Sequence, residues 1–224
     1  MPIGVIESLD HEARGITRQE GKTIFVEGAL PGEVVEYASF RKKARFEIAH
    51  LVRVITPSPL RVTPKCVHYG VCGGCAMQHM EAGAQVAAKQ RVLEDSLWHI
   101  GRLKPEHVLP PIQGSPWAYR HRARLAVRKV ASKEGMLLGF HELRSNYVAN
   151  LQSCEILPPH VSDLLPALRS LFSALSIADQ LPQLDIAVGE HCTALLLRIL
   201  KPLTASVQIR LCAFADQHQL VLYL

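Results

Sequence analysis

The chain of 224 residues lacks several features that would assign it to a common class of protein. No apolar run approaches the ~18–20 residues that a membrane-spanning helix needs. Nothing resembles an export signal, which argues against a small secreted disulfide framework. A Gly-x-Gly pattern after a strand is missing, as is a phosphate-cradling glycine-rich loop, so no nucleotide pocket is visible. No Ser/His/Asp arrangement occurs, and we predict no catalytic residue in this chain.

Carboxylates are scarce in the first half of the chain. Residues 1–130 hold 19 Lys and Arg against 12 Asp and Glu, whereas residues 131–224 hold 6 against 8. Between residues 37 and 65 there are seven basic residues and one acidic residue, Glu47. A solvated charged face is the ordinary explanation of such a stretch. The asymmetry favours a polyanion partner instead, because neutralising phosphates releases counterions and drives binding.

Three thiols lie within ten residues, at Cys66, Cys72 and Cys75. Two glycines separate the last two, and glycine allows the tight turn that would bring both sulfurs together. A redox Cys-x2-Cys motif would not need Cys66. The pattern therefore predicts a metal or cluster site, with Cys154 as the best candidate for a fourth ligand. Four thiolates suit an iron–sulfur cluster and are also one common set for structural zinc.

The remaining thiols and the histidines beside the cysteines are interpreted as structural. Cys192 and Cys212 lie in apolar periodic stretches, which predicts that they are buried small hydrophobes. His68 and His79 flank the three cysteines and could act as alternative ligands, but four thiols already complete a set. The free thiols and the missing export signal together indicate the cytoplasm.

Residues 1–56 are predicted to form about five short strands separated by turns. Lys22–Glu27 alternates and is rich in β-formers, and the stretch 46–55 follows as another strand. The basic residues 41–45 are predicted to lie on the loop before it. This many strands in so short a segment predicts a small closed β-barrel, a shape that removes exposed sheet edges.

The rest of the chain predicts an α+β fold. Residues 81–99 have helical spacing, and residues 108–116 form a proline-broken connector. Strands are expected at 119–128, 136–141, 184–188, 194–200 and 219–224, and helices at 159–175 and 204–218. This order predicts a mostly antiparallel sheet with flanking helices.

Period-two alternation places Arg120, Arg122, Arg124 and Arg128 on one face of a single strand. Their guanidinium groups repel one another unless carboxylates or phosphates lie nearby. A surface strand paired with acidic side chains is the alternative, but local carboxylates are scarce, so a phosphate-binding stripe is favoured. A second predicted phosphate site lies on the barrel loop and comprises Arg41, Lys42, Lys43 and Arg45.

Several motifs follow one another along the chain: Gly28-Ala-Leu-Pro-Gly-Glu33, the basic loop, residues 61–75, Gln78-His79, Tyr119-Arg120, Gly139-Phe140 and Cys154. Together they resemble the bacterial 23S rRNA (uracil-5-)-methyltransferases over essentially the whole chain. The Cys-x5-Cys-x2-Cys pattern with a distant fourth cysteine is the specific part of the resemblance. The Leu-Pro-Gly-Glu motif alone would be weak.

The resemblance implies an N-terminal TRAM domain at 1–56, which is an OB-like RNA-binding β-barrel, and a central α/β domain at 57–224. The central domain is implied to hold a [4Fe-4S] cluster through Cys66, Cys72, Cys75 and Cys154. A Rossmann-type domain that binds S-adenosylmethionine and carries the catalytic residues is implied to lie outside this chain. Residues 82–116 would then pack on that domain, and the chain alone would be inactive. The implied partner is ribosomal RNA, bound by a monomer in the cytoplasm, with no membrane involved.

Two other functions stay open at this point. One is a stand-alone RNA-binding module whose metal, zinc included, is only structural. The other is a radical S-adenosylmethionine enzyme with an appended TRAM barrel. That enzyme needs a Cys-x3-Cys-x2-Cys spacing, which this chain does not have, so it ranks last.

Overall fold

The computed structural model describes residues 1–130 and 135–224, which fall into two compact units. The first unit comprises residues 1–65 and 75–113, and the second comprises residues 66–74 and 114–224. Each unit is therefore built from two separate stretches of chain. The sequence-based domains, 1–56 and 57–224, stay a prediction.

A six-stranded sheet forms the centre of the first unit. Its strands are β1 (Ile3–Val5), β2 (Ser8–Leu9), β3 (Gly15–Gln19), β4 (Lys22–Glu27), β5 (Val34–Lys42) and β6 (Phe46–Thr56). Their order is β1-β5-β6-β4-β3-β2. β4 and β6 run parallel, and the other neighbours are antiparallel, so the sheet is mixed. Its inner face buries an apolar core that includes Ile24, Val26, Val35 and Tyr37.

The predicted closed barrel is wrong, because this sheet is open. β1 and β2 lie at its opposite edges and are three and two residues long. Between them, the Ile6 N–H donates to the Glu33 carbonyl (2.9 Å) and the Glu7 N–H donates to the Ile16 carbonyl (2.8 Å). Residues 6–7 thus connect β1 at one edge of the sheet to β2 at the other. Alternation in the sequence predicts strands but does not show which edges pair.

Helix α1 spans Ala82–His99, as predicted to within one residue. It begins where the Glu81 carboxylate accepts a hydrogen bond from the Ala84 N–H (2.8 Å). The Gln85 side chain donates to the carbonyls of Met77 and Met80, which holds the first turn against the preceding loop. No residue of α1 is buried.

The second unit contains a five-stranded sheet in the order β11-β10-β9-β7-β8. Its elements are β7 (Arg122–Lys129), β8 (Met136–Gly139), α2 (Pro159–Ser162), α3 (Leu165–Ser173), β9 (Gln183–Val188), β10 (Thr193–Arg198), α4 (Ala205–Gln217) and β11 (Leu220–Tyr223), with a short 3-10 turn at Ala178–Gln180. β10 and β11 run parallel while the other pairs are antiparallel, so the sheet, predicted to be mostly antiparallel, is mixed. α3 packs against β8 and α4 against β11.

Two further predictions for the second unit are corrected. The single helix expected at 159–175 is divided into α2 and α3, because Pro166 has no N–H with which to continue the ladder to Ser162. Cys192 and Cys212 are exposed rather than buried. Cys192 lies in the turn before β10, and Cys212 lies beside Leu211, which takes the buried position on α4.

Within residues 1–130 and 135–224, no helix is long and apolar enough to cross a membrane.

Candidate nucleic-acid interface and cysteine loop

Arg41, Lys42, Lys43 and Arg45 form an exposed basic cluster, the basic hairpin, where β5 turns into β6. The Lys43 N–H donates to the Phe46 carbonyl (2.9 Å), which closes the turn. In the part of the chain that the structure describes, none of the four cations forms an ion pair. The neighbouring Glu47 lies opposite Lys42, and its pKa lies below the usual range, chiefly through a hydrogen bond from Ser39 and further through the positive charges of Lys42 and Lys22. The hairpin therefore carries an excess of exposed positive charge.

The arginines of β7 differ from one another in their surroundings. Alternation along the strand is confirmed, since Leu125 and Val127 are buried while Arg122 and Arg124 are exposed. Arg124 binds Asp185 of β9 through two hydrogen bonds, Nε–Oδ1 at 2.9 Å and Nη2–Oδ2 at 3.2 Å. These bonds hold the pKa of Asp185 below its usual range. Acidic pairing, the alternative considered from the sequence, thus applies to Arg124.

Arg120 and Arg122 have no such carboxylate. The Arg120 guanidinium lies 5.6 Å from the centre of the Phe140 ring, and its backbone N–H donates to the Ile156 carbonyl (2.8 Å). Arg122 lies on the exposed face of β7 and makes no ion pair with another described residue. Of the three arginines predicted as RNA contacts, Arg122 is the most available to a phosphate.

The cysteine loop, residues 66–74, is fixed to other parts of the second unit by backbone hydrogen bonds. The Gly73 N–H donates to the His141 carbonyl, and the Leu143 N–H donates to the Val71 carbonyl, both at 2.9 Å. His68 accepts a hydrogen bond at Nε2 from the Gln152 N–H (3.0 Å), two residues before Cys154. This contact gives His68 the structural role that the sequence suggested.

Among the described residues, none of the four predicted ligands is in a disulfide, and Cys72 and Cys154 are buried while Cys66 and Cys75 are half-buried. The Gly74 N–H points at the Cys72 sulfur, 3.4 Å away, as donors do at metal thiolates. Cys66, Cys72 and Cys154 belong to the second unit, whereas Cys75 begins the second stretch of the first. Thiol chemistry fits a cluster, but among the described residues no three potential ligands are assembled closely enough to hold a metal ion. The four-thiolate site stays a prediction.

Glu33 and Arg61 form a buried ion pair that the sequence analysis missed. Arg61 donates from Nε to Glu33 Oε1 and from Nη2 to Oε2 (2.7 Å), and Nη2 also reaches the Gly28 carbonyl (2.7 Å). The Leu30 and Ser58 N–H groups donate to the same carboxylate. Burial alone would raise the pKa of Glu33, but these hydrogen bonds outweigh it and hold the pKa below its usual range. The pair fixes the segment that leads into the cysteine loop.

His79, one of the alternative ligands, is a buried neutral histidine. Burial lowers its pKa to about 4, and the positive charge of Arg61 acts in the same direction. Its carbonyl accepts a hydrogen bond from the Val62 N–H (2.9 Å). Two of the motifs that carry the family resemblance, the one beginning at Arg61 and Gln78-His79, thus lie next to each other in the first unit.

Comparison with known proteins supports the prediction of a TRAM domain in the region of the first sheet. Residues 3–60 match the family described as "tRNA (uracil(54)-C(5))-methyltransferase, TRAM domain". A solved structure, that of Pyrococcus abyssi tRNA (uracil-54, C5)-methyltransferase in complex with S-adenosyl-L-homocysteine, matches 93% of this chain and 48% of its own, with 19% identity and a TM-score of 0.61. The fold class predicted from the sequence excluded a methyltransferase domain from this chain. That exclusion is withdrawn, because nearly all of the chain shares its fold with a methyltransferase.

Two curated relatives are similar over the whole chain. The 23S rRNA (uracil(1939)-C(5))-methyltransferase RlmD of Dechloromonas aromatica is 71% identical over 100% of this chain and 52% of its own length. The protein of the same name from Nitrosospira multiformis is 56% identical over 98% of this chain and 50% of its own. The chain spans about half the length of these relatives, and over that half it is similar to proteins named 23S rRNA (uracil(1939)-C(5))-methyltransferase.

Proposed function

We propose that this chain is the RNA-binding and iron–sulfur portion of an S-adenosylmethionine-dependent methyltransferase that modifies uracil C5 in 23S ribosomal RNA. The exposed excess of positive charge on the basic hairpin, in a sheet that matches a TRAM domain, is the observation that carries the proposal. The protein would act as a monomer in the cytoplasm. S-adenosylmethionine is the methyl donor that this reaction requires, and we assign none of the described residues to it.

Phosphates of a single-stranded RNA segment would contact the basic hairpin and Arg122. Sequence-specific recognition of RNA usually targets single-stranded loops, whose phosphates remain accessible to side chains. Arg120 and Arg124 stay predicted contacts, but each already has a partner, Phe140 and Asp185 respectively. We therefore assign the larger part of the electrostatic affinity to the hairpin.

Neutralising two hairpin cations should weaken RNA binding and flatten its salt dependence. In the double variant Lys43→Gln/Arg45→Gln, each lost phosphate contact should remove about 0.7 from the slope of log K against log salt. That corresponds to roughly 20-fold weaker binding at 0.1 M salt. Fluorescence anisotropy with a single-stranded ribosomal RNA fragment, repeated over a range of salt concentrations, measures both quantities.

The matched control is Arg18→Gln. Arg18 is exposed on β3 of the same sheet, but it is already paired with Glu7 (3.2 Å). Its neutralisation should change the affinity and the slope little. If the double variant behaves like this control, the hairpin does not contact phosphates and the proposed RNA interface is refuted.

Anaerobically purified protein should contain iron and acid-labile sulfide in equal amounts, with broad visible absorption. Cys154→Ser should abolish both signals, because a cluster of this type needs its cysteine thiolates. Cys212→Ser is the matched control, since that thiol is exposed on α4 and should leave the cluster intact. Colourless protein with one zinc per chain would overturn the iron–sulfur assignment and leave a structural metal site.

A further inference from the structure

An exposed aromatic pair lies beside the basic hairpin. Phe40 is 46% exposed on β5, and its ring is nearly parallel to that of His50 on β6, with the planes 22° apart and the centroids separated by 6.2 Å. His50 is exposed as well. The pair presents ring surface to solvent beside the exposed cations of the basic hairpin.

The backbone aims Phe40 outward through an irregularity in the strand pairing. Ser39 pairs with Ala49 and Arg41 pairs with Ile48, so the register between β5 and β6 shifts at Phe40. Such a β-bulge re-aims a side chain and is commonly found near functional sites. Arg41, the first cation of the basic hairpin, follows directly in the sequence.

We infer that Phe40, supported by His50, is a platform on which a base of single-stranded RNA stacks while the basic hairpin holds the adjacent phosphates. This inference rests on the proposed function and adds a base-contacting element to it. Stacking on an aromatic ring next to a cationic groove is the general way in which single strands are bound, because every base has a π-face. The four unpaired cations beside Phe40 favour this polyanionic occupant over an apolar protein partner.

The test compares variants of Phe40 with the hairpin double variant, on three RNA probes. Phe40→Ala should weaken binding of a short single strand roughly tenfold. Its salt slope should stay unchanged, because no phosphate contact is lost. Phe40→Trp, which restores a larger ring, should bind at least as well as the unmodified protein. Tyr147→Ala removes an aromatic ring that is 77% exposed in the second unit, and it should have no effect.

The second and third probes distinguish stacking from other causes. On a fully paired duplex of the same strand, whose bases are already stacked, Phe40→Ala should bind as the unmodified protein does. On a set of strands with a single abasic site moved along the sequence, one position should abolish the difference between the two proteins. Equal losses on single strand and duplex, or a Phe40→Ala variant with unchanged affinity, would overturn the platform.

Failure of the inference can be told apart from failure of the proposed function. If Lys43→Gln/Arg45→Gln weakens binding but Phe40→Ala does not, RNA binding stands and the platform is refuted. If neither variant changes binding, both the hairpin interface and the platform are refuted.

Discussion

Gly139→Ala is expected to destabilise the second unit by roughly 3 kcal/mol or more, because the added methyl group has no room. A Cβ at Gly139 would overlap the carbonyl oxygen of Ala149 and lie 2.8 Å from Leu151 Cγ. The opposing segment cannot move away easily. The Ala149 N–H donates to the Phe140 carbonyl and the Leu151 N–H donates to the Leu138 carbonyl, on either side of Gly139 in the sequence.

Urea unfolding followed by circular dichroism measures this effect. Gly114→Ala is the matched control, because nothing lies within 4 Å of a Cβ built there. That control should change the free energy of unfolding by no more than about 0.5 kcal/mol. If both variants have the same unfolding midpoint, the inference that residues 149–151 pack tightly against β8 at Gly139 is contradicted.

Glu33→Ala should cost about 3 kcal/mol of stability in the first unit, since it leaves the Arg61 guanidinium and two N–H groups without their acceptor. The Glu33 side chain is fully buried and that of Arg61 is 22% exposed, so water can replace only part of what is lost. Glu36→Ala, three residues later on β5, is the control. Its partner Arg53 is largely exposed, and such surface pairs contribute about 0–1 kcal/mol.

The pH dependence gives this prediction a direction. The folded pKa of Glu33 is lowered, so its contribution is fully present above the unfolded pKa and is lost as the pH falls through the folded value. The stability difference between the unmodified protein and Glu33→Gln should therefore shrink towards acid. A difference that stays constant with pH, or a Glu33→Ala effect as small as that of Glu36→Ala, contradicts the buried pair.

The sequence predicted individual elements better than their pairing. β4 and α1 were predicted to within one residue, because alternation and helical spacing are local properties. The prediction of a closed barrel was wrong because closure depends on which strands pair. That pairing changes between Ile6, which bonds to the Glu33 carbonyl, and Glu7, which bonds to the Ile16 carbonyl. The division at Pro166 could have been predicted, since the missing N–H of a proline is visible in the sequence.

The same limit applies to the candidate site. The cations of the basic hairpin follow from a local run of charge, and all four are exposed in the structure. Arg124 was predicted to face phosphate, but its carboxylate lies 61 positions later in the sequence. Arg61 is likewise separated from Glu33 by 28 positions. Only the register of the folded chain reveals such partners, although the Leu-Pro-Gly-Glu motif and Arg61 were both noticed as parts of the resemblance.

The interleaving of the two units in sequence has a consequence for engineering and for evolution. Residues 66–74 belong to the second unit but interrupt the first. A chimera that took only residues 1–56 from this chain would include Glu33 but not its partner Arg61, and it would not include α1. A single crossover therefore cannot transfer the first unit whole, because an exchange of residues 1–65 leaves residues 75–113 behind.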